Sequence, residues 1–170
     1  QLKDGSAEAY WDSNSEWLIL ETDESDHGFI RYNTTIGTVL CIDPEHMEFY
    51  DFDFNNLLGE FSDFIEKSVS NHGVQILSFD DLNTNKIFDK CQNLITFGKQ
   101  DGADLRFDDP AFKIIDGKMG SSSKISFKGR EFGMLELTVP GEHNIQNALS
   151  AVAGAAQFGI SLLDSISDLK

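Results

Sequence analysis

Residues 17–26 have the sequence Trp17-Leu18-Ile19-Leu20-Glu21-Thr22-Asp23-Glu24-Ser25-Asp26, in which four apolar residues lead directly into a run of carboxylates. A short apolar run between polar residues is typical of a buried strand. Open α/β sheets bind ligands at the carboxyl ends of their strands, where Glu21 would stand. The stretch predicts a strand over 17–20 with a carboxylate at the sheet's rim suited to Mg²⁺, and a solvated loop of like charges is the alternative.

The composition favours one folded domain with a strong negative charge. The chain has 170 residues, 40% hydrophobic and 25% charged, which are ordinary globular values. Asp and Glu number 29 against 13 Lys and Arg, which gives a formal net charge of −16. Such a surface repels nucleic acid and anionic membrane, so neither is expected as a partner, whereas a metal ion and a few placed groups can still hold a nucleotide.

Cysteine usage and hydropathy indicate a soluble, cytoplasmic protein. Cys41 and Cys91 lack the spacing of a metal site, and Cys41 falls within a predicted strand as a small core residue. The first residues lack the character of a signal peptide. The most apolar segment, 148–163, is too short and too interrupted to span a bilayer.

The hydrophobic pattern changes along the chain from alternating strands and helices to strands alone. After the strand at 17–20, strands are predicted over 36–42, 74–78 and 94–97, with helices over 55–70 and 80–91 between them. Short strands follow over 105–107, 111–115, 124–127 and 134–139, then helices over 143–158 and from 161 to the end. The predicted class is α/β: a mostly parallel sheet with crossover helices plus a small antiparallel β meander.

A metal site is predicted from two strand ends. His46 lies just past the second predicted strand, as Glu21 lies just past the first. If these strands are neighbours, both side chains point into one cleft, and neutral imidazole and carboxylate both bind divalent metals. A surface histidine or a cap is the alternative for His46.

A second candidate site lies at the start of the clearest helix, in the segment Gly141-Glu142-His143-Asn144-Ile145-Gln146-Asn147. Asn144 and Asn147 share a helix face close to free backbone N–H groups, where anions are favoured. Two amides on one face suggest a polar partner such as the edge of adenine, which needs a donor and an acceptor. The alternative is an N-cap plus one solvated asparagine.

A phosphate-binding loop is missing from the sequence, which contains no G-x-x-x-x-G-K-[ST] motif. The superficially similar Gly117-Lys118-Met119-Gly120-Ser121 falls between predicted antiparallel strands, and no helix follows it. We interpret it as a hairpin loop. The chain by itself is therefore expected to hold a triphosphate weakly.

Three motifs together resemble the ATP-binding central domain of the Mur ligases. Residues 21–26 are similar to E-x-D-E-S-D, residues 45–50 to D-H-M-D-x-Y, and residues 140–149 to P-G-x-H-N-x-x-N-A-L. The resemblance covers essentially the whole chain. Ser25 favours the branch that adds L-alanine to UDP-N-acetylmuramate over the one that attaches a recycled tripeptide.

The resemblance implies ATP and Mg²⁺ as cofactors. Glu21 and His46 would bind Mg²⁺, Asn144 and Asn147 would hold adenine, and His143 would support the turn that aims them. The implied reaction transfers the γ-phosphoryl group to the muramyl lactate carboxylate, after which the amine of L-alanine attacks the acyl phosphate. No catalytic residue within this chain is assigned.

The resemblance also implies that residues 1–170 form a partial central domain, inactive by itself. The family's P-loop segment, the N-terminal domain that grips the UDP-sugar and the C-terminal domain would lie outside it. Departures from the family pattern are Leu40-Cys41 (usually Thr-Asn), Glu45 (usually Asp) and Tyr32-Asn33-Thr34 (usually with Pro). Two alternatives are an acidic cation-binding or interaction domain without catalysis and a ligase similar to folylpolyglutamate synthase.

Overall fold

A six-stranded mixed sheet forms the centre of the computed structural model, which describes residues 14–25 and 27–169. The strands keep their chain order across the sheet: β1 (Ile36–Val39), β2 (Val74–Ser78), β3 (Leu94–Gly98), β4 (Leu105–Ile115), β5 (Lys118–Phe127) and β6 (Arg130–Leu137). Strands β1 to β4 are parallel, whereas β5 pairs antiparallel with β4 and with β6. The predicted α/β class, with a mostly parallel sheet and an antiparallel meander, is confirmed.

Helices cover both faces of this sheet. The α-helices are α1 (Phe54–Ser70), α2 (Glu142–Ala156) and α3 (Leu162–Asp168), and short 3-10 helices span Phe29–Arg31, Met47–Tyr50 and Thr84–Lys90. In β2, Ile76 packs in the core cluster with α2, whereas the next residue, Leu77, packs with α1. Successive strand side chains point to opposite faces, so the consecutive apolar residues Ile76 and Leu77 reflect the burial of both faces of β2.

The predicted first strand is wrong. Residues 17–20 have irregular backbone, and their apolar side chains are exposed, Ile19 to 88%. Trp17 packs edge-on against Phe158, just past α2, with 4.7 Å between ring centroids. An apolar run becomes a strand only where a sheet edge pairs with its backbone, and within the described residues this segment pairs with none.

Other predicted boundaries shift for local reasons. The strand at 36–42 ends at Val39, so Cys41 is exposed rather than a core residue. The helix at 80–91 is a 3-10 helix over Thr84–Lys90. The two strands at 105–107 and 111–115 are one strand, β4, with a register shift between Asp108 and Ala111, where Pro110 cannot donate a ladder hydrogen bond.

The predicted hairpin between antiparallel strands is present, but its turn is short. The turn consists of Asp116 and Gly117, and β5 already begins at Lys118. Residues 118–121 are therefore strand rather than loop. Among the residues described, no helix has both the length and the apolar character needed to cross a bilayer.

Helix α1 begins and ends through identifiable contacts. At its start, the Asp53 carboxylate accepts a hydrogen bond from the Asn55 N–H at 2.9 Å. At its end, His72 rather than Gly73 takes the left-handed conformation, with φ 54°. Gly73 is needed for space, since a Cβ atom there would lie 1.7 Å from the carbonyl oxygen of Thr35. This close approach lets the chain enter β2 directly beside β1.

Replacing Gly73 with alanine is expected to destabilise the fold by about 2 kcal/mol, because backbone must move to admit the methyl group. Gly59, inside α1, provides the matched control, since a Cβ atom there meets nothing within 4 Å. Gly59→Ala should stabilise by about 0.5–1 kcal/mol through helix propensity. Urea unfolding of both variants measures the two effects, and equal stabilities would contradict this account of Gly73.

Candidate functional site

The topology brings the loops that follow β1, β2, β3 and β6 to one edge of the sheet. Strands β1 to β3 end at this edge because they are parallel, and β6 ends there because two antiparallel steps restore its direction. His46 follows β1, and helix α2 follows β6. The two candidate sites predicted from the sequence therefore share the edge at which open sheets bind ligands.

A candidate metal-binding group joins the loop after β1, which holds Glu45 and His46, to Glu24 in the segment that precedes β1. Glu24, Glu45 and His46 each offer one ligand atom, and these atoms all lie within 4.8 Å of one another. Glu24 is half-buried, whereas Glu45 and His46 are exposed. One imidazole nitrogen and two carboxylate oxygens form a donor set that fits a divalent cation, with open positions for water or phosphate oxygens.

The structure places Glu21 outside this group. Glu21 is exposed, three residues before Glu24, and lines a shallow groove of about 350 Å³ together with Asp23 and Tyr32. The acidic segment, residues 21–25, thus lies close to His46 as expected from the sequence, but the residue of this segment that belongs to the group is Glu24 rather than Glu21. Glu24 and Glu45 were missed as candidates, although each stands within a quoted motif. The role of Glu21 as a ligand stays a prediction.

Hydrogen bonds shape the acidic segment and its surroundings. The hydroxyl and backbone N–H of Ser25 both donate to Asp23, which holds the pKa of that carboxyl below its usual range. The Tyr50 hydroxyl donates to the Glu24 carbonyl oxygen at 2.6 Å. Burial, followed by the nearby Glu60 and Glu24 carboxylates, raises the pKa of Tyr50 to about 12, so its phenol stays protonated and remains a donor at neutral pH.

The start of α2 is built around Gly141, whose φ of 122° is unfavourable for other residues. Its N–H donates to Ser121 Oγ in β5 at 2.8 Å, and the His143 ring lies so close that a Cβ atom at Gly141 would be 2.4 Å from His143 Cε1. Asn144 Nδ2 donates to the Pro140 carbonyl oxygen at 2.8 Å. Asn147 is exposed one turn further along the same face, as the sequence predicted.

Asp80 and Asp81, which follow β2, connect the loops of this edge. Asp80 accepts hydrogen bonds from the N–H groups of Lys99 and Gln100, at 2.7 and 2.9 Å, and from the Gln146 side chain of α2 at 3.1 Å. Asp81 accepts from the N–H groups of Asn83 and Thr84. The sequence signal was available, since these carboxylates follow a buried strand just as Glu21 follows an apolar run, but they were assigned to a helix.

Replacing Asp80 with alanine should lower the free energy of unfolding by about 2 kcal/mol, since hydrogen bonds to a charged acceptor are lost at three donors. Asp63 on α1 is exposed and serves as the control, for which a change within about 0.5 kcal/mol is expected. Chemical denaturation checks both variants. An equal effect of the two substitutions would show that Asp80 does not anchor this edge.

The comparison with protein families agrees with the fold and the motifs. The model of the Mur ligase middle domain matches residues 7–155 of the sequence. The chain therefore belongs to the Mur ligase middle-domain family.

Individual relatives point to one branch of this family. The UDP-N-acetylmuramate–L-alanine ligase of Novosphingobium aromaticivorans is 35% identical over 152 residues, which cover 87% of this chain and 31% of that protein. The enzyme of the same name from Phenylobacterium zucineum is 31% identical over 153 residues, covering 86% of this chain and 31% of that protein. The chain thus spans about a third of the length of these relatives.

Among solved structures, the UDP-N-acetylmuramate-alanine ligase of Thermotoga maritima superposes with a TM-score of 0.67 at 21% sequence identity. The match covers 85% of this chain and 30% of the Thermotoga chain. At this level of identity the superposition establishes the shared fold.

Proposed function

We propose that this chain is part of the ATP-binding central domain of a cytoplasmic ligase that joins L-alanine to UDP-N-acetylmuramate in peptidoglycan synthesis. The observation that carries the proposal is that two sites lie at the same end of the sheet. One is the group of Glu24, Glu45 and His46, here called the His46 group, beside the end of β1, and the other is the pair of asparagines in α2, which follows β6. The names of the relatives support the choice of substrates over the alternative of a folylpolyglutamate synthase.

In this proposal His46 and the neighbouring carboxylates hold Mg²⁺. The donor set of Glu24, Glu45 and His46 fits the ion, and Glu21, which lies outside this group, is kept as a further candidate ligand. Mg²⁺ would neutralise the charge that develops on the transferring phosphoryl group. The chain's own contribution is to hold the ion's ligands at the carboxyl edge of the sheet, next to the nucleotide.

Asn144 and Asn147 are proposed to hold the adenine base. The Asn144 side chain is already oriented by its bond to Pro140, which leaves its Oδ1 as an acceptor beside the free N–H groups of the α2 N-terminus. His143 fixes the turn at Gly141 from which both side chains project. The UDP-sugar and L-alanine would be bound mainly by other parts of the ligase, so residues 1–170 by themselves should show no turnover.

A cation-binding domain without catalysis is the second candidate, because the His46 group fits a divalent ion whether or not a nucleotide is bound. The two candidate functions differ in whether metal binding and ATP binding affect each other. The ligase requires the metal and ATP to strengthen each other's binding, since the phosphate oxygens complete the coordination of the ion. The cation-binding domain predicts that metal affinity is indifferent to ATP.

Substituting the proposed metal ligands should weaken metal binding itself, which can be measured without following the reaction. In the full-length protein, His46→Gln and Glu24→Gln are expected to lower Mn²⁺ affinity on the order of tenfold or more, measured by electron paramagnetic resonance with and without ATP. Glu21→Gln, measured beside them, decides whether Glu21 also binds the ion. Glu131→Gln removes an exposed carboxylate from β6 and should change nothing. Wild-type affinity in His46→Gln would contradict the site.

Removing the amides of α2 should raise the KM for ATP. Asn147→Ala and Asn144→Ala are each expected to raise it about tenfold, since each bond to the base contributes on the order of 1–1.5 kcal/mol. Gln157→Ala, at the opposite end of the same helix, is the control. Alanine-dependent phosphate release measures the KM values. If the asparagine variants matched this control, the adenine site would have to lie elsewhere.

A further inference from the structure

Tyr50 joins the acidic segment to the element that carries His46. Its side chain is buried, with 2% exposed, and its hydroxyl donates to the Glu24 carbonyl oxygen at 2.6 Å. Tyr50 also ends the 3-10 helix Met47–Tyr50, which directly follows His46. One short turn anchored in the core therefore fixes the backbone of both His46 and Glu24.

A second contact ties the downstream end of the acidic segment to α1. His27 Nδ1 lies 2.7 Å from Glu60 Oε1, and the His27 ring packs against Tyr50 with 5.0 Å between ring centroids. His27 has a left-handed backbone with φ 55°, a conformation that non-glycine residues keep only where surrounding contacts hold it. The pair with Glu60 supplies such a contact.

Upstream of both anchors, residues 21–23 are exposed and have irregular backbone. The Asp23 carboxylate accepts hydrogen bonds from the backbone N–H and the hydroxyl of Ser25, within the same segment. Its carboxylates repel one another and those of Glu45 and Glu48. Repulsion of this kind moves a loosely held segment away from the other acidic groups and so separates Glu24 from His46.

We infer that Tyr50 and the His27–Glu60 pair are positioning residues for the metal site. They hold the acidic segment so that Glu24 faces His46 before a cation arrives, which avoids ordering the loop at the moment of binding. The inference rests on the proposed function for the metal site. It adds three residues that touch no substrate and that set the affinity of the site through the backbone of Glu24.

Tyr50→Phe tests the inference because it removes a single oxygen atom and keeps the ring. In the full-length protein we expect Mn²⁺ affinity to fall about tenfold. Amide hydrogen exchange of residues 21–25, measured without metal, should become faster. His27→Ala should act in the same direction. His27→Asn should restore much of the affinity, since its Nδ2 can take the place of Nδ1 and asparagine tolerates a left-handed backbone.

Thr84→Val is the matched control for a lost buried hydroxyl. Thr84 Oγ1 donates to the Ser78 carbonyl oxygen at 2.5 Å, away from the acidic segment. This variant should lose stability but keep the Mn²⁺ affinity and the exchange rates of the segment. Introducing Tyr50→Phe into the Glu24→Gln background should change affinity less than twofold, because Tyr50 acts through Glu24.

The outcomes separate the inference from the proposed function. If Tyr50→Phe binds Mn²⁺ like the wild type, or Thr84→Val weakens binding equally, the inference is overturned while the metal site stands. If His46→Gln leaves the affinity unchanged, the metal site itself is wrong, and the inference fails with it.

Discussion

Two adjacent carboxylates at the end of β2 hold the functional edge of this domain together. Asp80 reaches the loop after β3 and the first turns of α2, while Asp81 reaches the N–H of Ile42 in the loop after β1 and the start of the following 3-10 helix. Loops at a sheet edge lack ladder partners for their N–H groups, and a charged acceptor satisfies several at once. The loop that leads to His46 and the helix that carries Asn144 are thus both bonded to side chains that belong to neither candidate site.

At the opposite end of the strands, a neutral side chain holds the neighbouring loops in the same way. Gln75 is fully buried in β2, where its Nε2 donates to Ser68 Oγ and to the Gly73 carbonyl oxygen. Its Oε1 accepts from the N–H groups of Gln92 and Asn93. A buried amide is tolerated because all of these bonds are made. Residues in or just after β2 therefore anchor the loops at both ends of the strands. The end held by Asp80 and Asp81 is the one at which metal and phosphate binding is proposed.

The parts of the fold that were predictable from sequence are those that local pattern determines. The apolar face of α1, the apolar run of β2 and the glycine-rich turns of the meander each identify an element by period or by turn chemistry. The segment 17–20 shows where this fails. Its run of four apolar residues is at least as typical of a buried strand as β2 is, but strand formation depends on a partner edge, which no local pattern encodes.

The candidate site was predictable to the level of its motifs and not to that of its contacts. The sequence argument brought His46 and the acidic segment together through two neighbouring strand ends, and they do lie close together, although the first of those strands does not form. In the structure the Tyr50 hydroxyl donates to the backbone oxygen of Glu24, the carboxylate residue of this segment that lies beside His46. Backbone carbonyls are identical at every position, so the sequence cannot show which one Tyr50 selects; Glu24 was missed for this reason, and Glu21 stays a predicted ligand.

The charge of the domain constrains how a nucleotide can approach this edge. With a net charge of −16, the surface opposes a triphosphate, and Lys99, a cation beside the start of α2, is already paired with Glu142 at 3.0 Å. A divalent ion between the carboxylates and the phosphates reverses the sign of this interaction. In the proposed ligase, the acidic segment would therefore oppose free ATP and favour its metal complex, the form that phosphoryl transfer requires.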